Sequence, residues 1–197
     1  MSVMPQPRDE TSTAILEAAG TLLAKEGAEA LTVRRIAAAA GCSTMGLYSR
    51  FGGKDGVVEH LFVEGFQQLN AAIAAVRVPD EPQPNLRACS RAYRQWALDN
   101  TTKYLVMFGG AVPGYEPTEE AKAVSHACFD SLVAAVSRAQ QLGVMRAVPE
   151  AEAIAEVIWA TMHGHVMLEL VGMQATCHDP AERFELVIDQ MERGWAP

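Results

Sequence analysis

The sequence lacks any run of about 18 uncharged apolar residues that could cross a bilayer. Its first residues, MSVMPQPRDETS, also lack the apolar stretch of a secretory signal peptide. These two absences predict a cytoplasmic protein with no membrane partner. Aromatic residues make up only 7% of the 197 residues, but 49% are hydrophobic. That share suffices for the core of one domain, or of a small module attached to a larger one.

Cysteine is also scarce, and the four residues lie far apart with no CxxC pair: Cys42, Cys89, Cys128 and Cys177. This spacing argues against a zinc knuckle and a disulfide framework, and it predicts reduced, partly buried thiols. His163 and His165, with His178 further along, could suggest a metal site. Residues two apart point to different faces of a helix, however. We therefore predict no metal and no cofactor.

Strand patterns are few, whereas helical spacing of apolar residues recurs throughout, so the predicted fold class is all-α. Acidic residues are missing between Thr32 and Lys54, where the charged residues are Arg34, Arg35, Arg50 and Lys54 itself. The whole chain nevertheless carries a net charge of −8. A small basic window on an acidic chain predicts a local contact with a polyanion.

Glycines, prolines and capping residues place the expected helices. A first helix ends near Gly27, a second runs from Thr32 to about Ala40, and a third follows Ser43. The later elements predicted are a long helix from Lys54 to about Arg77, a break over 78–84, a loop over 109–117, and helices over about 118–142, 149–176 and 180–195.

The residues from 36 to 51 could form two short helices packed across a tight turn. Small side chains at Ala37 and Ala40 let the helices approach, and Gly41 supplies the backbone angle of the turn. Leu47 fills the junction. The exposed side of the second helix then carries Thr44, Met45, Tyr48, Ser49 and Arg50. Short side chains followed by phosphate-reaching groups are typical of a helix that enters the major groove of DNA, while a solvated helical hairpin is the alternative.

A resemblance to the tetracycline repressor (TetR) family of bacterial regulators is carried by LTVRRIAAAAGCSTMGLYSRFGGKDGVV. The family pattern has a Thr-x-Arg-x-Ile-Ala start, an Ala-Gly-x-Ser turn, a Leu-Tyr-x-x-Phe recognition helix and a Gly-x-Lys-x-x-Leu/Val start to the fourth helix. All four elements are present. The preceding AILEAAGTLLAKEGAEALT is similar to the first helix of the family, so the resemblance covers about residues 9 to 65.

The resemblance implies a DNA-binding site composed of Thr32, Arg34, Arg35, Ser43, Thr44, Met45, Gly46, Tyr48, Ser49, Arg50 and Lys54. It implies that Thr32 caps the second helix and touches a phosphate, and that Arg34 reads a guanine or a phosphate. The residues 44–46 would face bases, and Tyr48 and Ser49 would face phosphates.

Lys54 begins the fourth helix, where the resemblance implies a phosphate clamp. A helix N-terminus beside a lysine favours an anion in any family. We expect the domain boundary here, with a helix-turn-helix DNA-binding domain over 1–53 and a helical ligand-binding and dimerisation domain over 54–197.

A shorter resemblance lies in KYLVMFGG and WATMHGHVMLEL (159–170), which are similar to the TetR subgroup named for a Trp-x-x-x-His-Gly signature in the effector domain. Trp159, His163 and Gly164 carry that match. The candidates to line a mostly apolar effector pocket are Tyr93, Trp96, Met107, Phe108, Trp159, His163 and Met167. For each of them, packing in the core is the alternative, because aromatic residues and methionine at helical spacing usually pack.

The helix predicted over 149–176 is apolar on nearly all sides and therefore needs cover on two faces. Its own domain could cover one face and a partner subunit the other. The last helix offers Phe184, Ile188 and Met191 at near-heptad spacing, which predicts a homodimer interface built as a four-helix bundle. The core of a monomer is the alternative.

These observations predict a homodimeric, ligand-responsive transcriptional repressor that binds a palindromic operator in double-stranded DNA and is released by a small hydrophobic effector. We expect no enzymatic activity, because the sequence shows no ordered nucleophile, metal set or phosphate loop. One alternative is a small helical enzyme with His163 or His165 as general base. Another is a sequence-blind DNA-coating protein, which would need positive charge spread over the chain.

Overall fold

The computed structural model describes residues 9–77, 82–173 and 179–197, and within these ranges the regular structure is entirely helical. The helices are α1 (Glu10–Glu26), α2 (Val33–Ala39), α3 (Thr44–Phe51), α4 (Lys54–Ala75), α5 (Pro82–Asp99), α6 (Thr101–Phe108), α7 (Glu119–Gln141), α8 (Ala151–Leu170) and α9 (Pro180–Trp195), with one 3-10 turn at Ala28–Ala30. The predicted all-α fold class is confirmed.

Side-chain caps start the two short helices near the N-terminus. The Thr32 hydroxyl accepts a hydrogen bond from the backbone N–H of Arg35 at 3.3 Å, and the Ser43 hydroxyl accepts one from Gly46 at 3.0 Å. Each bond satisfies a donor that the first turn of a helix leaves without an intrahelical partner. The predicted caps at Thr32 and Ser43 are therefore confirmed.

Two of the predicted helix ends differ from the structure. The helix that starts at Ala151 ends at Leu170 rather than near residue 176, and Gly172 follows with a φ of +67°. This left-handed backbone angle cannot continue a helix, and glycine adopts it at little cost. Residues 174–178 lie outside the described part of the chain. The long helix α4 ends at Ala75, two residues before the predicted end at Arg77.

The predicted break over 78–84 is shorter than expected. Residues 78–81 lie outside the described part, but α5 already begins at Pro82, so Pro82 and Pro84 both lie in its first turn. Proline is tolerated there because the first N–H groups of a helix have no intrahelical acceptor to lose.

The described residues form two compact units, and the first contains residues 9–67 together with residues 100–125. Its N-terminal helices pack around Ile15, Ile36 and Leu47, which are fully buried. Val57, on the first turn of α4, is fully buried as well. The start of α4 is therefore part of the same core as the first three helices.

The helix α6 and the loop that follows it belong to this first unit too. Met107 packs against Gly65 of α4, where an added Cβ would come within 2.4 Å of the methionine sulfur. The Glu59 carboxylate accepts hydrogen bonds from the Tyr115 hydroxyl, at 2.5 Å, and from the Thr118 hydroxyl. The expected functional boundary between residues 53 and 54 lies inside this unit, and it stays a prediction.

The second unit contains the described residues of the ranges 68–99 and 126–197, which are 68–77, 82–99, 126–173 and 179–197. The helix α8 packs on both α5 and α9, and its inner face carries Ile154, Ile158 and Val166, all fully buried. Ile188 of α9 is also fully buried. The apolar inner faces of α8 and α9 therefore close on each other within a single chain.

Charged side chains link α5 to the two last helices. Arg87 contacts three carboxylates of α9, those of Glu185, Asp189 and Glu192. Arg94 pairs with Glu169 of α8 at 2.6 Å, and both side chains are largely buried. These acids lie far along the chain from the arginines, so the pairs depend on the packing of α5 against α8 and α9.

The turn between α3 and α4 depends on a close approach at Gly56. A Cβ at this position would lie 1.7 Å from the carbonyl oxygen of Phe51, a distance that no repacking of side chains can relieve. We expect Gly56→Ala to lower the free energy of unfolding by about 3 kcal/mol or more. Urea denaturation measures this change.

Gly20→Ala is the matched control, because Gly20 is in the middle of α1 and an added Cβ there meets nothing within 4 Å. This variant should be stabilised by up to about 1 kcal/mol through helix propensity. Equal effects of the two substitutions would contradict the close approach at Gly56.

Candidate nucleic-acid interface

The turn between α2 and α3 is built from small residues. Gly41 has a φ of +65°, and the N–H of Cys42 donates to the carbonyl of Ala37 at 2.9 Å. Ala37 itself is buried, whereas Ala40, predicted to face inward, is half-buried at the end of α2. The four residues 40–43 therefore turn the chain and bring α3 against α2.

The helix α3 has one buried face and one exposed face. Leu47 and Phe51 anchor it in the core, with 0% and 8% of their surface exposed. The opposite face carries the residues predicted to meet DNA: Thr44, Met45, Tyr48, Ser49 and Arg50, all exposed. Met45 and Tyr48 expose 75% and 53% of their surfaces, which is unusual for large apolar side chains and typical of a binding surface.

Gly46, predicted to face bases, carries hydrogen bonds within α3. The Ser49 hydroxyl donates to its carbonyl oxygen at 3.0 Å, and Nη1 of Arg50 donates to the same oxygen at 3.1 Å. An added Cβ at this position would lie 3.3 Å from the Ser43 hydroxyl and 3.7 Å from Nη1 of Arg50, so this turn has little room for a side chain.

Three predicted phosphate contacts flank α3. Thr32 and Arg34 are exposed at the start of α2, and among the described residues Arg34 has no carboxylate partner. Lys54 opens α4 and is half-buried, with Nζ 3.9 Å from the carboxylate of Asp55. At that distance the pair is loose, and the lysine stands at a helix N-terminus, where the dipole favours anions.

The basic window is free of acids only along the sequence. In the structure, Nη2 of Arg35 lies 2.7 Å from both carboxylate oxygens of Glu26, at the end of α1. Arg50 pairs with Asp9, just before the start of α1, at 2.6 Å. Sequence reasoning missed both acids, because they lie nine and 41 positions away from their partners and no motif links them.

The predicted effector residues occupy both units. Met107 and Phe108 belong to the first unit, and the other five belong to the second: Tyr93 and Trp96 on α5, and Trp159, His163 and Met167 on α8. The Trp159 ring lies 6.0 Å from that of Phe129 and 5.9 Å from that of His163. Burial lowers the pKa of His163, so its imidazole is neutral at pH 7.

The second unit contains a cavity of about 450 Å³, and none of the seven predicted effector residues lines it. Its walls are mixed, with apolar side chains and two arginines: Val76, Ala88, Arg91, Ala92, Arg94, Gln95, Ala181, Phe184 and Glu185. Arg91 and Arg94 are both paired with carboxylates, those of Glu185 and Glu169.

The residues predicted for the dimer interface are buried inside the chain itself. Phe184, Ile188 and Met191 expose only 3%, 0% and 6% of their surfaces in a single subunit. A partner could not reach them without unpacking the core, so the prediction that these side chains form the contact surface needs correction. Near-heptad spacing marks the buried face of α9, but it does not say which chain covers that face.

Other functional classes have little support in the described residues. No group of three or more His, Cys, Asp or Glu side chains there could hold a metal ion, and Cys177 and His178 lie outside the described part. His163 and His165 lie two positions apart on α8, and burial lowers the pKa of each. No described helix is long and apolar enough to span a bilayer.

Two short capped helices across a glycine turn, with an exposed face on the second, define a helix-turn-helix protein. The family models agree with this geometry. Residues 15–61 match the model described as bacterial regulatory proteins of the tetR family, and residues 86–191 match a tetracyclin repressor-like C-terminal domain. The chain belongs to the tetracycline repressor family, which confirms the resemblance found in the sequence.

Curated relatives include three proteins named HTH-type transcriptional regulators, one from Mycobacterium bovis and two from Mycobacterium tuberculosis. Each is 27% identical over 138 residues, an alignment that covers 66% of this chain. The chain spans 59% of the length of these relatives. They are named as regulators and not as enzymes, in agreement with the expectation from the sequence.

Solved structures share the fold. A protein of unknown function from Rhodococcus sp. RHA1 superimposes with a TM-score of 0.82 at 26% identity, over 98% of this chain and 100% of that one. A bacterial regulatory protein of the tetR family from Rhodococcus RHA1 superimposes with a TM-score of 0.76 at 20% identity, over 96% of this chain and 98% of that one.

Proposed function

We propose that the chain is a homodimeric transcriptional repressor that binds a palindromic DNA operator and releases it when a small hydrophobic effector binds. The exposed face of α3 carries this proposal. Leu47 and Phe51 fix the helix from below, while Thr44 and Met45 project from its first turn. The N-terminal residues of a recognition helix are the ones that reach base edges in the major groove.

The charge distribution supports specific binding over uniform coating of DNA. A chain with a net charge of −8 is repelled by a polyanion on average, so the contact must be confined to the surface around α3. Arg34, which precedes α3 in the chain, and Lys54, which follows it, supply positive charge. A protein that coats DNA without regard to sequence needs positive charge over a much larger area.

A palindromic operator requires a second copy of the chain, one for each half-site. One α3 helix reads only a few base pairs, whereas two copies related by a two-fold axis place their helices in major grooves about 34 Å apart. Exposed apolar side chains recur along one face at Val157 and Leu168 of α8 and at Val171, its C-cap, and exposed Leu186 lies on α9. We propose that this stripe, and not the buried residues of α9, meets the partner subunit.

Effector binding is assigned to the aromatic group around Trp159. Phe129 and His163 flank its ring, which gives an apolar surface with one neutral polar group. Small-molecule sites usually have this character.

Both α4 and α7 continue from one unit into the other, with the division after Gln67 and Ser125. We propose that these two shared helices carry the response, so that an effector favours a dimer that no longer matches the operator.

Lys54→Ala should weaken binding to operator and to scrambled DNA by similar factors, because a phosphate contact carries no sequence information. The slope of log K against log salt should also fall by about 0.9 for each phosphate that the variant no longer neutralises. Met45→Ala is the comparison, and it should change the preferred base pairs while leaving binding to scrambled DNA nearly intact. Fluorescence anisotropy at several salt concentrations, with a duplex selected from a random pool, measures both. If Met45→Ala weakened binding to every duplex equally, the proposal that this helix reads bases would be contradicted.

Leu168→Glu combined with Leu186→Glu should give monomers at micromolar concentration, because uncompensated carboxylates in an apolar interface cost several kcal/mol each. Leu142→Glu is the control, since Leu142 is exposed to a similar degree just beyond the end of α7. It should leave the dimer intact. Light scattering distinguishes the two masses, and a dimeric double variant would place the interface elsewhere.

Trp159→Ala should leave operator affinity without effector within about threefold, or 0.7 kcal/mol, and should reduce release by the effector. Effectors of this surface should be hydrophobic or amphipathic compounds and not sugars or nucleotides. Ala92→Trp provides the contrast, because Ala92 lines the described cavity, which a large side chain would fill. Titration of the protein–operator complex with a compound library measures release. Loss of release in Ala92→Trp alone would move the effector site to that cavity.

A further inference from the structure

We propose that Arg50 is a positioning residue for the recognition helix α3, held by Asp9, and that it does not contact DNA. This inference rests on the proposed DNA-binding function and changes one residue of the predicted site. The sequence places Arg50 among the phosphate-reaching groups of α3 because it is cationic and exposed. The structure gives its guanidinium a different set of partners.

All three guanidinium nitrogens of Arg50 are engaged within the protein. Nε is shared between the two carboxylate oxygens of Asp9, 3.3 Å from Oδ1 and 3.1 Å from Oδ2, and Nη2 donates to Oδ2 at 2.6 Å. The remaining nitrogen, Nη1, donates to the carbonyl oxygen of Gly46 at 3.1 Å, one turn earlier in α3. The planar guanidinium thus makes a bidentate contact with one carboxylate. Through Nη1 it also forms a hydrogen bond to the backbone of its own helix.

Asp9 is itself fixed in place. It is the N-cap of α1, and its Oδ1 accepts a hydrogen bond from the N–H of Ser12 at 2.7 Å. The same carboxylate therefore caps α1 and grips the last turn of α3. A guanidinium that donates from two nitrogens to both oxygens of one carboxylate has a defined orientation relative to it, unlike a lysine ammonium.

The Arg50 guanidinium holds the pKa of Asp9 well below its usual range, and the bond from Ser12 acts in the same direction. The carboxylate is consequently ionised at neutral pH. The stabilisation from this pair is complete above the unfolded pKa of an aspartate and is lost as the pH falls through the lowered folded value. The ion pair between Asp9 and Arg50 therefore keeps both its charges across the physiological pH range.

Such a contact matters because α3 is only eight residues long. A short helix has few buried side chains to set its direction, and base readout depends on atoms placed within a fraction of an ångström. Arg50 acts at the end of α3 opposite to the base-facing Thr44 and Met45. Restraining that end sets the angle at which these two residues would enter the groove.

The experiment compares Arg50→Gln, Arg50→Lys and Asp9→Asn with wild type on two duplexes, one selected by wild type from a random pool and one scrambled. Asparagine caps helices as well as aspartate, so Asp9→Asn removes the ion pair and keeps the cap. We expect all three variants to lose at least tenfold in affinity for the selected duplex. Affinity for the scrambled duplex should change by less than threefold, and the salt slope should stay at the wild-type value.

Coupling between the two residues supplies a second test. Asp9→Asn with Arg50→Gln should bind no more weakly than either single variant, because both remove the same interaction. Circular dichroism at the assay temperature gives the folded fraction, and affinities are scaled to it, which separates mispositioning from unfolding. Lys54→Gln is the matched phosphate variant, and its salt slope should fall by about 0.9 for each phosphate no longer neutralised.

A direct phosphate contact by Arg50 gives the opposite pattern. In that case Arg50→Gln would lower the salt slope and weaken both duplexes equally, Arg50→Lys would retain most of the affinity, and Asp9→Asn would strengthen binding by freeing the arginine. Any of these results, or wild-type affinity in Arg50→Gln, would overturn the proposal. Failure of the wild-type protein to bind any duplex would instead reject the proposed function, and this inference with it.

Discussion

The contact between Gly56 and the carbonyl of Phe51 determines how closely α4 can follow α3. A side chain at Gly56 would occupy the position of that carbonyl, so only glycine permits the turn. The helix α3 ends at Phe51 and α4 begins at Lys54, with only Gly52 and Gly53 between them. Gly56 thereby keeps Lys54, the proposed phosphate clamp, close to the end of α3, where the rings of Phe51 and His60 also pack edge to face at 4.8 Å.

Electrostatics in this protein is local. The chain is acidic overall, and even its basic window is partly neutralised, because Glu26 and Asp9 from either end of α1 pair with Arg35 and Arg50. Arginine in a DNA-binding helix-turn-helix motif is therefore not automatically a DNA contact. Its five donors also suit it to bracing one helix against another. Exposed charge and engaged charge must be distinguished by the partners of each side chain.

In the second unit, the main structural requirement is to cover α8, a helix that is apolar on nearly every side. The inner face of α8 is covered by α5 and α9 of the same chain, and Arg94 and Glu169 form a largely buried ion pair at the edge of this core. Breaking such a pair leaves a buried charge without a partner, so it favours one packing arrangement over others. The outer face, with Val157 and Leu168, stays uncovered in a single chain. A partner subunit that covers it would leave this core undisturbed.

The sequence by itself determined the all-α class, the caps at Thr32 and Ser43, the helix-turn-helix order and the family. These features depend on neighbours within a few positions, where hydrogen-bond geometry and helical periodicity act. Tertiary structure alone decided that Arg50 meets Asp9 and that Glu59 holds Tyr115, because these partners are 41 and 56 positions apart. It also decided that Ile188 is buried within its own chain. Periodicity identifies an apolar face, but only the packed fold determines which surface covers it.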